Sequence, residues 1–598
     1  MHSGLKLRLR AFWRHPANRS KRRAFIAKIK QIGDAPHSYS SWINRHDFDF
    51  YRDRKAVLDR IARLRNQPLI SIVMPVYNTP EKYLREAIES VKRQLYENWQ
   101  LCIADDCSTV PHVRALLESY AAGDPRIKVV FRTESGHIAS ATNSAFALAD
   151  GEWIALVDHD DVLREHALAE VAFEISRYPE AELIYSDEDK LDADDQRYDP
   201  YFKPDFSREL FRSQNYLNHL TVHRARNIRA VGGWRSGYDG SQDYDLSLRI
   251  FERVDQKNIR HIPKILYHWR AAEGSAASSV DAKNYAYSAG LRALEEHVER
   301  IGLAAKVEPA PNTPFYRMRL ELPNPNPRVS LIIPTRDKVD LLRACVNSIR
   351  DKTTYGNYEL IIVDNGSRDL KALQYLAEIQ GMPHCRVLRF DGPFNYSAIN
   401  NFAVEHSDAP LIGLINNDVD VISPEWLTEM ASWAMQPDIG CVGAKLYYPD
   451  GTLQHGGVIM GIGRVSGHSH KHFPRDHAGY FCRLRILQNL SAVTGACLVV
   501  RREIFKEVGG LDDKNLPVSF NDVDFCLKVR AAGYFNVWTP YAELYHLESV
   551  SRGSDALPQN VERARRETAY MRSKWRSAEE DPYYSVNLTK DFENFGYR

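Results

Sequence analysis

The chain has 598 residues, 44% of them hydrophobic and 26% charged, which is a globular composition in a chain longer than one core usually serves, so two or more domains are expected. A formal net charge of +1 excludes a global field for nucleic acid, and no apolar run approaches the roughly 18 residues that cross a bilayer. The eight cysteines form no CxxC pair and no signal-peptide core is present, which excludes a zinc ribbon and a disulfide scaffold and points to a reduced, cytoplasmic protein.

The charge is concentrated at the start. Ten Lys or Arg precede the first acid, Asp34, and Leu5, Leu9, Phe12 and Trp13 fall at helical spacing among them, as do Phe25, Ile29 and Ile32. This basic amphipathic pattern suits the anionic cytoplasmic face of the inner membrane; a solvated tail or a helix packed on a domain fits it equally. RNA binding is the weaker alternative, because the aromatics are not interleaved as stacking platforms.

From Leu69 apolar runs alternate with helical patterns. LISIVMP reads as a buried strand and Leu84, Ile88 and Val91 as one helical face; the strands LCIADD, IKVVF and WIALVD follow, separated by helices. The alternation predicts a mostly parallel sheet, which binds ligands at the carboxyl ends of its strands, where Asp105 and Asp158 sit. The order recurs after Pro327. VSLIIPTRD answers ISIVMPVYN, and YELIIVDNGS answers WQLCIADDCS. LIGLINND answers WIALVDHD, with Pro75 and Asp105 matched 259 residues on by Pro334 and Asp364. Such a register is an internal repeat. The second copy carries about twenty extra residues before its late acid, and HGGVIMGIGRVSGHSHKH lies in that interval. Between the copies, residues 281–301 read as a helix followed by a proline-rich connector. The boundaries are therefore a basic extension over 1–67, units over 68–275 and 328–555, the connector over 276–327 and a tail over 556–598.

Asp158 and Asp160, two apart at a strand end, can point oxygens at one hard cation and leave sites open for water and phosphate; a solvated acidic loop is the alternative. Asp105 can accept from a nucleobase N–H or cap a helix. Asp243, just before a helix with Leu246, Leu248 and Ile250, can act as a general base or an N-cap, and Asp522 repeats it. GIGRVSG has the wrong spacing and place for a dinucleotide fingerprint. His468, His470 and His472 lack a nearby carboxylate or Cys partner and read as an acceptor-side loop.

PVYN, ADDCS, DHDD and QDYDLSLR resemble the successive motifs of family 2 glycosyltransferases, inverting enzymes of GT-A fold. PTRD, VDNGS, NND, TGACLVVRREIFKEVGG and NDVDFCLKVRAAGY resemble them again, in the style of bacterial rhamnosyltransferases. The resemblance implies two tandem α/β GT-A domains of a hexosyltransferase that builds O-antigen or related surface polysaccharide. It puts nucleotide-sugar contacts on Tyr77, Asn78, Asp105 and Asp158, and on Thr335, Asp337, Asp364 and Asn416. Mg²⁺ or Mn²⁺ falls on Asp158 and Asp160 and on Asp418, with His268 and His546 as late histidine ligands. The catalytic base falls on Asp243 and on Asp522. Implied partners are a dTDP-, UDP- or GDP-sugar and a polysaccharide or lipid-linked acceptor. Two catalytic units, one catalytic unit beside a glycan-binding one, and a non-catalytic nucleotide-sugar sensor are the readings left open.

Overall fold

The computed structural model describes residues 38–270, 280–463, 465–547, 558–576 and 580–598; the basic stretch before Asp34 lies outside them. The first sheet consists of β1 (Ile70–Val76), β2 (Trp99–Asp105), β3 (Ile127–Phe131), β4 (Trp153–Leu156), β5 (Val162–Leu163), β6 (Leu183–Leu191), β7 (Arg197–Tyr201), β8 (Thr221–Arg224) and β9 (Ile259–Arg270). Among the described residues its order is β3-β2-β1-β4-β8-β6-β9-β5, with β7 on β6. β1 to β4 are parallel, β8 runs antiparallel between β4 and β6, and β9 lies parallel to β6.

The second sheet repeats the plan. A hairpin of β10 (Ala305–Pro309) and β11 (Tyr316–Leu320) precedes β12 (Val329–Thr335), β13 (Tyr358–Asp364), β14 (Cys385–Arg389), β15 (Leu411–Ile415), β16 (Val419–Val421) and β17 (Ile439–Tyr447). β18 (Leu453–His455), β19 (Val458–Met460), β20 (Ser466–His468), β21 (Gln488–Asn489), β22 (Cys497–Arg501) and β23 (Phe535–His546) follow. The main order, β14-β13-β12-β15-β22-β17-β23-β16, matches the first sheet strand for strand.

The local reasons are those of buried parallel sheets. β1 and β12 are buried at every position, which is why they read as unbroken apolar runs rather than alternating ones. Leu84, Ala87, Ile88 and Val91 are the buried face of helix Glu81–Lys92, and Leu342, Cys345, Val346 and Ile349 that of helix Val339–Lys352. All eight cysteines are free thiols. No helix among the described residues is long and apolar enough to cross a membrane.

The connector holds the helix Val280–Arg300 and then the β10–β11 hairpin, which its prolines obscured in the sequence. Tyr316, Met318 and Leu320 alternate on the buried side of β11 and enter a core shared by both units, with Phe211, Tyr244 and Phe251 from the first and Leu331, Trp426 and Ile439 from the second. A smaller cluster joins four segments: Trp42 of helix Tyr39–His46, Phe202 and Ile265 of the first unit, Ile459 and Ile462 of the second, and Tyr584, Leu588 and Phe595 of the tail.

Candidate active site

The acidic turn after β4 divides its carboxylates between two tasks. Asp161 is fully buried: its Oδ2 accepts from the Tyr267 hydroxyl at 2.5 Å and its Oδ1 from the Arg270 N–H at 2.7 Å, so it anchors the turn to β9. The Asp158 side chain remains 40% exposed. The Asp160 carboxyl is raised by burial and by the Asp158 charge, though His159 and Arg270 offset this.

The neighbouring antiparallel strand brings a residue that the sequence did not single out. β8 pairs with β4 through Ala155 and Val222, and His219 lies in the loop that leads into β8. His219 Nε2 lies 3.9 Å from Asp158 Oδ2, its Nδ1 3.2 Å from Glu188 Oε2, and its ring stacks on Tyr267 at 4.8 Å. Burial alone would lower its pKa; the Glu188 hydrogen bond and charge, with Asp158 and Asp161, outweigh it and push the imidazole up to about 9. Lys203, fully buried, donates to the Asn218 and His219 carbonyls at 2.6 and 2.8 Å and holds that loop in place. No local pattern marks His219, because only the folding of its loop against the acidic turn gives it its neighbour.

Asp243 opens helix Gln242–Phe251, accepting from the Trp234 indole N–H at 3.1 Å and from Gln242 Nε2 at 3.2 Å. Its carboxyl is pushed up to about 6, first by burial and then by Asp158, so Asp243 and the acidic turn share one electrostatic site. Asp245, two residues on, is fully buried and ion-paired with Arg235 and Arg249, a packing role.

Asp105 and Asp364 are each 3% exposed at their strand ends and each accept from the serine N–H three residues on. Asn78 Oδ1 accepts from Thr109 N at 2.8 Å, and Asp337 Oδ1 from Arg368 N at 2.6 Å, so both clamp the loops around those acids, from backbones with φ of 49° and 54°. Asp106, beside Asp105, accepts from Ser135 Oγ and from the Gly136 and His137 N–H groups. It thereby fixes the start of helix His137–Phe146. Tyr77 stands half-exposed at the rim.

In the second unit a cavity of about 840 Å³ collects Thr335, Asp337, Asn416, Asp418, Asp522 and His546. Asp418 Oδ1 is 3.2 Å from His546 Nε2, whose Nδ1 is held by the Gln454 amide. Asn416 Nδ2 also meets His546 Nε2, at 3.1 Å, and Asn417 Nδ2 donates to Thr335 Oγ1 at 3.2 Å. Asp522 is raised by burial and stays accessible to the cavity while Gly495 N and Thr494 Oγ1 donate to its Oδ2 at 2.8 and 3.2 Å.

The two late histidines are not equivalent. His268 pairs with Val162, two residues beyond Asp160, whereas His546 pairs with Val419, one residue beyond Asp418. The register of the late strand against the strand after the acidic turn therefore differs by one residue between the units. His546 faces its acid; His268 instead bonds through Nδ1 to Asp189, which also binds Arg197 and Tyr39 behind the site. The described polar contact of His268 is with Asp189 rather than with Asp158 or Asp160.

These groups fit a hard divalent cation in part. Asp158 and Asp160 offer two carboxylates whose mutual repulsion a cation relieves, and Asp418 with His546 offers one oxygen and one nitrogen. Among the described residues no group of three or more His, Cys, Asp or Glu stands ready to hold a metal, so ligand oxygens and water must complete any coordination.

The chain belongs to the glycosyl transferase family 2, whose family model matches residues 71–229 and 330–509, more than half of it. It is 52% identical over 551 residues to the protein y4gI of Sinorhizobium fredii, covering 91% of this chain and 60% of that one. It is 39% identical over 545 residues to the O-antigen biosynthesis protein RfbC of Myxococcus xanthus, covering 91% of this chain and 42% of the relative, so it spans less than two thirds of either. A crystal structure of S. aureus TarS 1–349 in complex with UDP-GlcNAc is similar with a TM-score of 0.32 and 18% identity, over 38% of this chain and 66% of that one.

Proposed function

We propose that both units are inverting, metal-dependent glycosyltransferases that move sugars from nucleotide-sugar donors onto a growing bacterial surface polysaccharide, each making its own linkage. The observation that carries this reading is the same pairing in both units: a carboxylate raised by burial at a helix start, facing an acidic turn at the end of a central strand. The Asp158 charge acts on Asp243 in one, and Asp522 shares a cavity with Asp418 in the other. A carboxylate with a pKa of about 6 is ionised at neutral pH and still basic enough to take a hydroxyl proton.

Asp243 or Asp522 accepts the proton of the acceptor hydroxyl as that oxygen attacks the anomeric carbon. The bond from that carbon to the diphosphate breaks on the opposite side, the nucleoside diphosphate leaves and the anomeric configuration inverts. Asp158 with Asp160, and Asp418 with His546, would hold Mg²⁺ or Mn²⁺, which when bound neutralises charge growing on the leaving diphosphate. His219 lies beside Asp158, its Nε2 3.9 Å from Asp158 Oδ2. Tyr77, Asn78 and Asp105, with Thr335, Asp337, Asp364 and Asn416, shape the nucleotide pockets for a dTDP-, UDP- or GDP-sugar, rhamnose among the candidate sugars. The relative named for O-antigen biosynthesis supports a polysaccharide or lipid-linked acceptor, met at the cytoplasmic membrane surface.

A second reading, one catalytic unit beside a glycan-binding one, is favoured by Asn416, which leaves a single carboxylate, Asp418, next to His546. The deciding experiment follows nucleoside diphosphate release and product linkage with a donor panel and a synthetic lipid-linked acceptor, on wild type, Asp243→Asn and Asp522→Asn. Loss of a different linkage in each variant, by about 10²-fold or more, establishes two transferases. If only one variant matters, the other unit is a binding module; unchanged products in both overturn the proposal.

A further inference from the structure

β17, IGCVGAKLY, is buried along its whole length and carries one charged residue, Lys445, which is 5% exposed. The Lys445 ammonium donates to the Leu484 carbonyl at 2.8 Å, and its other two N–H groups have no partner among the described residues. Glu543, its partner position on β23, is taken up by the Tyr447 hydroxyl at 2.5 Å and by Arg475 at 3.1 Å. Burial is the main cause that pushes Lys445 down to about 8, so the side chain is still largely charged at neutral pH. A buried charge is costly unless something pairs with it.

Lys445 lines a cavity of about 630 Å³ between the β10–β11 hairpin and the second unit, and this cavity shares no lining residue with the one around Asp522. Three of its arginines are matched by carboxylates: Arg317 with Glu429 at 2.9 Å, Arg319 with Glu425 at 2.9 Å and Arg475 with Glu543. Among the described residues no carboxylate pairs with Lys445 or with Arg485, which donates to the Asn312 and Asp476 carbonyls at 2.6 and 2.5 Å. The remaining acid of the lining, Asp476, is solvent-exposed. The Tyr541 hydroxyl, in the same wall, is buried with no hydrogen-bond partner among the described residues, and Arg317 lies over its ring at 3.9 Å. Two cations and a hydroxyl are thus left to donate, and the group that matches them is an acceptor with negative charge. The volume falls in the range of small-molecule sites and exceeds what a bare ion fills. We propose that this cavity is a binding site, separate from both transferase sites, for a sugar-sized organic anion whose phosphate or carboxylate oxygens are held by Lys445, Arg485 and Tyr541. Its occupant bridges the connector hairpin and the second unit.

The test is isothermal titration calorimetry of the full chain with glucose 1-phosphate, glucuronate, glucose and inorganic phosphate, on wild type, Lys445→Met and Tyr541→Phe. Binding is read without turnover, so the outcome is independent of the transferase reading. The expected result is that glucose 1-phosphate or glucuronate binds, the one that does identifying the oxyanion, and that glucose and inorganic phosphate bind at least tenfold more weakly. Loss of a charged hydrogen bond predicts a Kd about tenfold or more higher in Lys445→Met. Tyr541→Phe removes a hydroxyl that has no protein partner to lose, so its thermal midpoint without ligand matches wild type while its Kd rises about threefold or more. This second variant decides the matter if Lys445→Met, which also gives up the bond to Leu484, does not fold. Failure of both acidic sugars to bind overturns the inference, as does glucose or inorganic phosphate binding as tightly as they do. An unchanged Kd in the folded variants also overturns it, because the anion then sits elsewhere.

Discussion

At the scale of single residues, buried ionisable groups divide into those that face the acidic turns and those that hold segments together. His261 belongs to the second kind. Its Nε2 meets Asp187 Oδ1 at 2.8 Å and its Nδ1 meets Asp205 Oδ1 at 3.2 Å, and Asn587 of the tail donates to the other Asp187 oxygen at 3.1 Å. Burial opposes its charge, but the two carboxylates prevail and push the imidazole up to about 9. A histidine with a raised folded pKa contributes stability that is full below its unfolded value near 6.5 and is lost as pH rises through about 9. The shift corresponds to about 3 kcal/mol. His261→Gln should therefore lower the thermal midpoint most at pH 6, and the gap to wild type should narrow between pH 6.5 and 9. A gap that stays constant across a pH series of scanning fluorimetry would rule out the imidazolium as its cause.

At the scale of elements, the added segment is held from outside the sheet. Asp581, buried in the tail, accepts from Met460 N at 2.7 Å and from Ser491 Oγ at 2.6 Å, and Phe595 stacks on His470 at 4.1 Å. Gly457, at φ +97°, completes the turn between β18 and β19, where a Cβ would fall 1.9 Å from Leu490 Cδ1. Asp581→Ala leaves Met460 N and Ser491 Oγ without their acceptor, at about 1–3 kcal/mol for each orphaned group. The expected outcome is faster proteolytic cleavage within residues 456–472 together with a lower denaturation midpoint, read by limited proteolysis and guanidinium titration. Equal cleavage rates in variant and wild type would show that the tail does not support the segment. The repeat made this segment visible as an excess of length; that the tail clamps it follows only from contacts across more than a hundred residues.

At the scale of the whole molecule, the two units and the hairpin close on one another. Glu209 N donates to Asn489 Oδ1 at 2.9 Å, Arg208 pairs with Asp438, and the Tyr201 and Phe481 rings stack at 3.8 Å. The helix Phe50–Ile61, which follows the basic extension, leaves Tyr51 94% exposed. If the extension brings the enzyme to a lipid-linked acceptor, deleting residues 1–33 should weaken binding to anionic liposomes, in a salt-dependent way, without changing turnover of soluble acceptors. Flotation assays that show unchanged binding would remove that role.

The sequence by itself determined what depends on local pattern and repetition. The apolar runs, the helical faces, the acids at strand ends and the doubled order are short-range features, and a tandem α/β protein with Asp158, Asp160, Asp243, Asp418 and Asp522 near its sites is legible from them. Only the tertiary structure decided which of these groups meet. The loop before β8 brought His219 to within 3.9 Å of Asp158, His268 was taken up by Asp189, and His546 came to lie beside Asp418. Each of these meetings joins residues tens to more than a hundred positions apart, and no motif in a linear sequence records such a contact.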